Sequence, residues 1–158
     1  MSNLKVIAPA PHFRSGETTS TIMLSVVAAL IPAVVVSFLV FGPQALLLEA
    51  VCVVASVFFE YLFRVIMCKR DNTIWDCSAI VTGLLLAFNL PVGMPIWMAV
   101  LGCAVAIIVT KQLFGGIGQN FANPAIVGRI FLLVSFGGQM TTWAAPRGYF
   151  GVDAVSGA

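Results

Sequence analysis

Long uncharged stretches dominate this chain and constrain its fold more than any other feature. No charged side chain occurs in residues 18–48, 77–110, 112–128 or 130–146, and the two longest of these stretches contain 31 and 34 residues. A helix needs about 20 apolar residues to cross the hydrocarbon core of a bilayer. A soluble fold would have too little charged surface to present to water. The chain is therefore predicted to be an integral membrane protein.

The composition and net charge support this prediction. Hydrophobic residues make up 60% of the 158 residues and charged residues 9%, against about 25% charged residues in ordinary soluble domains. A net charge of +2 without any basic run excludes nucleic-acid binding as a function class. The four cysteines form no C-x-x-C pair and have no histidine cluster near them, so neither a metal site nor a disulfide framework is predicted.

The apolar segments predict an all-α integral membrane fold with about five transmembrane helices. Their approximate ranges are residues 21–41, 44–67, 77–91, 96–110 and 123–142. The third segment is short and is closed by an asparagine and two prolines, which indicates a broken or re-entrant helix.

Positive charges set the expected orientation and the domain boundaries. Residues 1–20 form a polar arm without an apolar run, so this arm is neither a secretory signal nor a transit peptide. Basic residues collect in the arm, after the second helix and at Lys111, and these regions are expected on the cytoplasmic side of the membrane. Five crossings by a membrane domain over residues 21–143 then place residues 144–158 outside.

A loop rich in glycine and asparagine lies between the fourth and fifth predicted helices. Gly115, Gly116 and Gly118 allow a ligand to approach the backbone closely. Asn120 and Asn123 offer hydrogen-bond donors and acceptors three residues apart. Together with the start of the fifth helix, these groups suit a planar, hydrogen-bonding ligand. The alternative is a loop that only reverses the chain, with an asparagine capping the next helix.

Arg129 is the one charged residue of the sequence between positions 112 and 146. An arginine inside the membrane is costly unless it is paired or faces a cavity. We therefore expect Arg129 to point at protein. There it would pair with Glu49, Glu60 or helix carbonyls, or contact an anionic or redox group. Glu60 is also spaced to pair with Arg64 one turn later on the second helix.

Three segments of the chain resemble a known family. They are A-P-A-P-H-F at residues 8–13, the run at residues 78–91, and G-G-I-G-Q-N-F-A-N-P-A-I-V-G-R at residues 115–129. These segments resemble the RnfD/NqrB family. They are similar to the D subunit of the Rnf ion-translocating oxidoreductase, and the last is also similar to the B subunit of the sodium-pumping NADH:quinone reductase. The resemblance covers the first half of the family's polypeptide, and it implies one half of an inverted-repeat fold of about ten helices, similar to urea transporters.

This resemblance implies flavin chemistry. Members of the family carry FMN through a phosphoester to the threonine of an S-G-A-T motif on the outer side of the membrane. The sequence ends with Ser156, Gly157 and Ala158, so the acceptor threonine is expected immediately after Ala158. By similarity, Asn120 and Asn123 are expected to contact a second, non-covalent flavin such as riboflavin. The other residues expected at the cofactor-binding sites are Gly115, Gly116, Gly118 and Arg129.

The implied function is that of a membrane subunit of an Rnf-type electron transport complex in the inner membrane of a bacterium or archaeon. With the other Rnf subunits (A, B, C, E and G), it would couple electron transfer between ferredoxin and NAD to translocation of sodium ions or protons. It would be part of a translocase without a catalytic residue of its own. Two other classes remain open. Broken helices near Asn89 and Asn120 are also what a solute transporter or channel needs, and the third class is a non-redox membrane scaffold.

Overall fold

The computed structural model describes residues 18–67, 76–116 and 118–144 of the chain. All regular elements within these residues are helical, which confirms the predicted all-α fold class. The expected arm of residues 1–20 and the expected outward segment of residues 144–158 lie almost entirely outside the described residues. The α-helices are α1 (Thr19–Phe41), α2 (Pro43–Tyr61), α3 (Ser78–Ala87), α4 (Ile96–Ala104), α5 (Pro124–Ser135) and α6 (Gly137–Thr141). Wider π-helical turns extend α2 through Leu62–Met67 and α4 through Val105–Gln112.

Within the described residues, two helical segments are long enough to cross a bilayer. Thr19–Phe41 and Pro43–Val65 each contain 23 residues and are strongly apolar, against the roughly 20 residues that a span requires. No residue of α1 is buried within the chain. Because the side chains of α1 are almost all apolar, the surface of this helix needs lipid or another apolar protein surface around it.

A glycine and a proline make the tight turn between α1 and α2. Gly42 has a φ of 80° and donates its N–H to the Phe38 carbonyl at 2.8 Å. Pro43 follows in the first turn of α2, where a helix has no intrahelical use for the N–H that proline lacks. The helix therefore stops and restarts within one residue, and α2 returns alongside α1.

The core of the bundle lies around α2, which packs against α1, α3 and α4. Gly83 of α3 permits a close approach to α2, because a Cβ added there would lie 2.9 Å from both the Cys52 carbonyl oxygen and Val53 Cα. Small residues at such contacts bring helices close enough for extensive dispersion contacts, the main attraction between helices in lipid. The buried core includes Leu48, Cys52, Leu86, Ala99, Cys103, Ala106 and Leu132.

The third apolar segment forms a short helix, as the sequence predicted. α3 has ten residues, about 15 Å at 1.5 Å per residue, which is roughly half the thickness of the hydrocarbon core. Residues 88–95 follow without a regular helix. There the Leu90 N–H donates to the Ala87 carbonyl and the Met94 N–H to the Pro91 carbonyl, each at 3.0 Å. Leu90 and Met94 are also buried, so protein covers this irregular backbone, as membrane depth requires.

The fifth apolar segment is divided into two helices where the sequence predicted one over residues 123–142. α5 ends at Ser135 and α6 begins at Gly137. Between them, Phe136 leaves the helical region with φ −133° and ψ 47°. Its ring packs edge-on against Trp97 with the ring centroids 5.3 Å apart. This aromatic contact and the two glycines after Phe136, which stabilise a helix poorly, account for the break.

Two cavities lie at opposite ends of the bundle. One end holds the starts of α1, α3 and α5 together with the end of α4, and the other holds the α1–α2 turn, the segment after α3 and the residues after α6. We name them the Lys111 end and the Glu49 end, after a buried charged residue at each. Residues 18 and 144 therefore lie at opposite ends of the bundle.

Candidate functional site

Three glycines reverse the chain after α4. Their φ values are 108° at Gly115, 99° at Gly116 and 84° at Gly118. The Gly116 N–H donates to the Lys111 carbonyl at 2.9 Å and so closes the end of the helix. Glycine is needed at Gly116 for two reasons, because other residues rarely adopt this φ and because a Cβ there would lie 2.6 Å from Arg64 Nη2.

Asn123 is the N-cap of α5. Its Oδ1 accepts a hydrogen bond from the Ala125 N–H at 3.0 Å, and Pro124 occupies the first turn of the helix. The cap satisfies one of the N–H groups that a helix start otherwise leaves unpaired. The capping role that the sequence left as an alternative is therefore confirmed for Asn123.

A cavity of about 270 Å³ lies at the Lys111 end, and we call it the Asn120 cavity. Its volume is slightly below the range of about 300–1,000 Å³ for ligand pockets. Its polar lining residues are Ser78, Thr82, Lys111, Asn120 and Asn123. Its other lining residues are Met23, Val81, Leu85, Ala122 and Pro124. The two asparagines that the sequence assigned to a ligand therefore border the same space.

Asn120 presents an acceptor without a partner. Its Oδ1 is buried and accepts no hydrogen bond from the residues that the structure describes. Buried side-chain oxygens nearly always accept at least one hydrogen bond, and leaving one without a donor costs about 1–3 kcal/mol. Because Asn120 lines the cavity, a ligand that donates an N–H or O–H there would remove this cost.

Lys111 forms a buried ion pair at the wall of the Asn120 cavity. The residue is 2% exposed. Its Nζ lies 2.7 Å from Glu60 Oε1 and donates to Ser78 Oγ at 2.6 Å. Gln112 Nε2 donates to the same Glu60 oxygen at 2.9 Å, and Arg64 Nε donates to Gln112 Oε1 at 3.1 Å. Side chains from α2, α3 and both π-helical turns thus fix the position of the ammonium group.

This cluster was not predicted from the sequence. Lys111 was expected among the basic residues of the cytoplasmic surface, and Glu60 was expected to pair with Arg64. The Arg64–Glu60 pair is present at 4.0 Å, but Lys111 lies closer to Glu60, at 2.7 Å. Because 51 residues separate Lys111 from Glu60, local spacing carries no signal for their contact. The sequence does show that Lys111 and Glu60 each lie toward the end of an apolar segment, and both of these ends are expected on the same side of the membrane.

Arg129 is not among the lining residues of the Asn120 cavity. Its Nη1 donates to Asn89 Oδ1 at 3.0 Å, and the residue is exposed within the described part of the chain. This partner differs from the expected Glu49 or Glu60. Glu60 is bound by Lys111, and Arg129 does not line the cavity at the Glu49 end. The hydrogen bond instead joins the irregular segment after α3 to α5.

The structure brings together part of the predicted cofactor-binding set. Asn120 and Asn123 line one cavity, next to polar residues that were not predicted, Ser78, Thr82 and Lys111. The predicted residues that do not line this cavity are Gly115, Gly116, Gly118 and Arg129. The residues predicted to lead to the covalent flavin, which are Ser156, Gly157 and Ala158, lie outside the described residues.

The lining of the Asn120 cavity suits a polar, uncharged or anionic ligand. Its carboxamides both donate and accept hydrogen bonds, and its hydroxyl groups can do the same. The buried ammonium group of Lys111 and the N-terminus of α5 contribute positive potential. The apolar lining residues provide surfaces against which a flat ring can pack.

Comparisons with known proteins agree on one family. A profile of the NQR2, RnfD, RnfE family matches residues 6–158. The chain is 48% identical over 138 residues to the D subunit of the Na(+)-translocating ferredoxin:NAD(+) oxidoreductase complex of Acetobacterium woodii, covering 87% of this chain and 43% of that protein. It is 41% identical over 157 residues to the D subunit of the ion-translocating oxidoreductase complex of Shewanella denitrificans, covering 95% and 44%.

A third relative is named as part of a complex that translocates protons. The chain is 42% identical over 154 residues to the D subunit of the proton-translocating ferredoxin:NAD(+) oxidoreductase complex of Clostridium ljungdahlii, covering 98% of this chain and 46% of that protein. The chain therefore spans less than half the length of each of these curated relatives.

Proposed function

Because the chain belongs to the NQR2, RnfD, RnfE family, we propose that it is the first half of a membrane subunit of an Rnf-type ion-translocating oxidoreductase. In this role it works with the other Rnf subunits in the cell membrane of a bacterium or archaeon. The complex couples electron transfer between ferredoxin and NAD to the movement of sodium ions or protons. The names of the relatives support this assignment, as do the two helices that are long enough to span a bilayer.

Within this role, the Asn120 cavity is a binding site for a non-covalent flavin such as riboflavin. The observation that carries this proposal is the buried Asn120 Oδ1, which lines the cavity without a hydrogen-bond donor among the described residues. The ring system of a flavin carries an N–H between two carbonyl groups, and a carboxamide can pair with that edge as donor and acceptor at once. Bound flavin would supply the complex with a centre that accepts and donates electrons.

The residues of the cavity have separate roles in this proposal. Asn120 accepts a hydrogen bond from the ligand, and its amide nitrogen donates one in return. Asn123 caps α5 through Oδ1 and so orients the helix start toward the cavity. Lys111 keeps a positive charge beside the ligand, because Glu60 and Ser78 hold its ammonium group in place. A positive charge beside a redox group favours the state with more electrons.

A second, covalent flavin is proposed for the other end of the bundle. FMN would be joined by a phosphoester to a threonine that follows Ser156, Gly157 and Ala158. The resemblance to the family supports this proposal, and Trp143 and Ala144, the last described residues before the motif, line the cavity at the Glu49 end. The small side chains of the three preceding residues would leave room for the flavin phosphate. α5 lies between the two proposed sites, and its 12 residues span about 18 Å at about 1.5 Å per residue. In this proposal other redox centres relay electrons between the two flavins.

The test of the flavin proposal is the Asn120→Leu variant of the full-length subunit, purified within its complex. Leucine keeps the branching at Cγ and removes the hydrogen-bonding groups. Non-covalent flavin is extracted with acid and quantified by fluorescence chromatography, and covalent FMN is read as fluorescence of the subunit on a denaturing gel. Loss of one buried hydrogen bond, about 1–3 kcal/mol, weakens flavin binding roughly 5- to 150-fold.

The matched control is Gln119→Leu, which removes an exposed carboxamide from the adjacent position of the same loop. We expect this variant to keep the wild-type content of both flavins. Covalent FMN is expected to be unchanged in both variants, which shows that the complex has assembled. Equal amounts of extractable flavin in Asn120→Leu and in wild type would contradict the assignment of the cavity.

A further inference from the structure

Glu49 is a buried carboxyl group that the proposed flavin site does not use. It lies in the second turn of α2 and is 4% exposed. Ser37 of α1 is a neighbour of the carboxyl group. The Oε2 atom is buried and has no hydrogen-bond partner among the described residues. A carboxyl oxygen in this position needs either a donor or a bound proton.

The carboxyl group faces a cavity of about 490 Å³ at the Glu49 end, which we call the Glu49 cavity. The turn between α1 and α2, the segment after α3 and the residues that follow α6 surround it. Its lining includes Ser37, Phe41, Leu48, Phe88 and Trp143. Glu49 is the one ionisable side chain among the lining residues that the structure describes, and almost all of the others are apolar.

No counter-charge meets Glu49 in the described part of the chain. α1 and α3 contain no charged residue. On α2 the next carboxylate is Glu60, 11 residues or about 16 Å along the helix, and it is bound by Lys111. From α5, Arg129 donates to Asn89 and does not line the cavity. The titratable group nearest in sequence is the Cys52 thiol, which carries no positive charge in either protonation state.

The residues around Glu49 favour a proton over a sodium ion as the ligand of its carboxylate. A sodium ion needs several oxygen ligands around it, and the cavity lining offers side-chain oxygens only from Glu49 and Ser37 among the described residues. A charged carboxylate without a counter-ion in an apolar site is far more costly than the neutral acid. A proton needs no other ligand, since it bonds to one carboxyl oxygen directly.

We propose that Glu49 is a proton-binding site, at which the carboxylate takes a proton from a hydronium ion in the Glu49 cavity and later returns it to a water molecule there. One O–H bond of the hydronium ion breaks as the O–H bond of the carboxyl group forms, a water molecule is left, and no electrons are transferred. This role deepens the ion-translocation part of the proposed function and rests on it for its physiological meaning. A proton held here would be stored at the end of the bundle opposite the Asn120 cavity.

The experiment uses dicyclohexylcarbodiimide, an apolar reagent that reacts with protonated carboxyl groups in apolar sites. Membrane vesicles that contain the full-length subunit in its complex are treated over a range from about pH 5.5 to about pH 9. Mass spectrometry of peptides then locates and quantifies the adduct. We expect modification at Glu49 that decreases several-fold as the pH rises and that excess sodium chloride does not reduce. Glu49→Gln, which is nearly the same size, loses the adduct.

Glu60 on the same helix is the internal control in the wild-type protein. Because Glu60 is held by Lys111, the Glu60 peptide of the same digest is expected to react little at any pH. Absence of the adduct at Glu49 at every pH would overturn the inference, since the carboxylate would then have a counter-charge in the complete protein. Protection by sodium ions would overturn it in favour of a sodium site. Flavin content is measured in the same vesicles, so a failure here is distinguishable from failure of the proposed function.

Discussion

The buried Lys111–Glu60 pair gives the sharpest prediction for stability. Lys111→Met removes the ammonium group and keeps most of the apolar stem, which leaves the Glu60 carboxylate buried without its nearest counter-charge. The two charges are 2.7 Å apart, and at an effective dielectric constant of about 20 their attraction is about 6 kcal/mol. Desolvation of both groups offsets most of this attraction, since it costs several kcal/mol per ion. Removal of one partner is nevertheless expected to cost about 3–5 kcal/mol, because the remaining charge is still buried away from water and no longer has its counter-charge.

A double-mutant cycle separates the pair from its surroundings. Lys111→Met and Glu60→Gln are each expected to destabilise the subunit, and the double variant is expected to recover much of the loss because no buried charge is left unpaired. The free energy of unfolding is measured by titration with sodium dodecyl sulfate in mixed micelles, followed by circular dichroism. Arg64→Met is the control. Its longer contact with Glu60, at 4.0 Å, and its hydrogen bond to Gln112, at 3.1 Å, predict a smaller loss of about 1–2 kcal/mol.

Two results would refute this reasoning. One is a cost below about 1 kcal/mol for Lys111→Met, which would mean that the pair is not buried or not formed. The other is strict additivity in the cycle, which would mean that the two side chains do not interact.

Three further predictions follow from backbone and packing, each measured as a change in the thermal unfolding of the purified complex. Gly83→Ala is expected to destabilise by about 1–3 kcal/mol because its methyl group meets α2 backbone, whereas Gly93→Ala, with open space around it, is expected to change little. Asn123→Ala is expected to cost about 1 kcal/mol through loss of the cap, whereas Asn123→Asp, whose carboxylate can still cap the helix, is expected to keep nearly the wild-type stability. Gly116→Ala is expected to cost more than Gly118→Ala, since both require a positive φ but only the first meets a side chain.

The course of the helices could be predicted from local sequence. Uncharged runs mark where the chain can enter lipid, and the dense polar positions mark where it leaves. Gly42 followed by Pro43 is sufficient to end one helix and begin the next. The asparagine and prolines that close the third segment also indicate its short length, because they interrupt the helical hydrogen bonds. These features depend on neighbours in sequence, which is why the pattern reveals them.

The contacts between distant segments could not be predicted in the same way. The break at Phe136 depends on the Trp97 ring, 39 residues earlier in the chain. The burial of Lys111 depends on Glu60 and Ser78, which come from two other helices. A lysine at the end of an apolar run has the same sequence signature whether it faces water or a buried carboxylate. Packing decides between them, and packing is not a local property.

The candidate site was predicted in part for the same reason. Asn120 and Asn123 are close in sequence and lie on the same short loop, so their shared orientation toward one cavity follows from local geometry. Arg129 is on the following helix, and its side chain reaches Asn89 instead. The hydroxyl and ammonium groups on the opposite wall of the cavity come from α3 and the end of α4, and no spacing rule joins them to the loop.

Native mass spectrometry of the complex that contains the full-length subunit tests the proposed flavin function most directly. We predict that the subunit carries two flavins with different behaviour. The mass of FMN joined by a phosphoester stays with the polypeptide after denaturation. The mass of the non-covalent flavin is present in the native wild-type subunit and disappears on denaturation. In Asn120→Leu this second mass is already absent from the native subunit. A wild-type subunit whose native and denatured masses both equal the mass of its polypeptide would contradict the proposal.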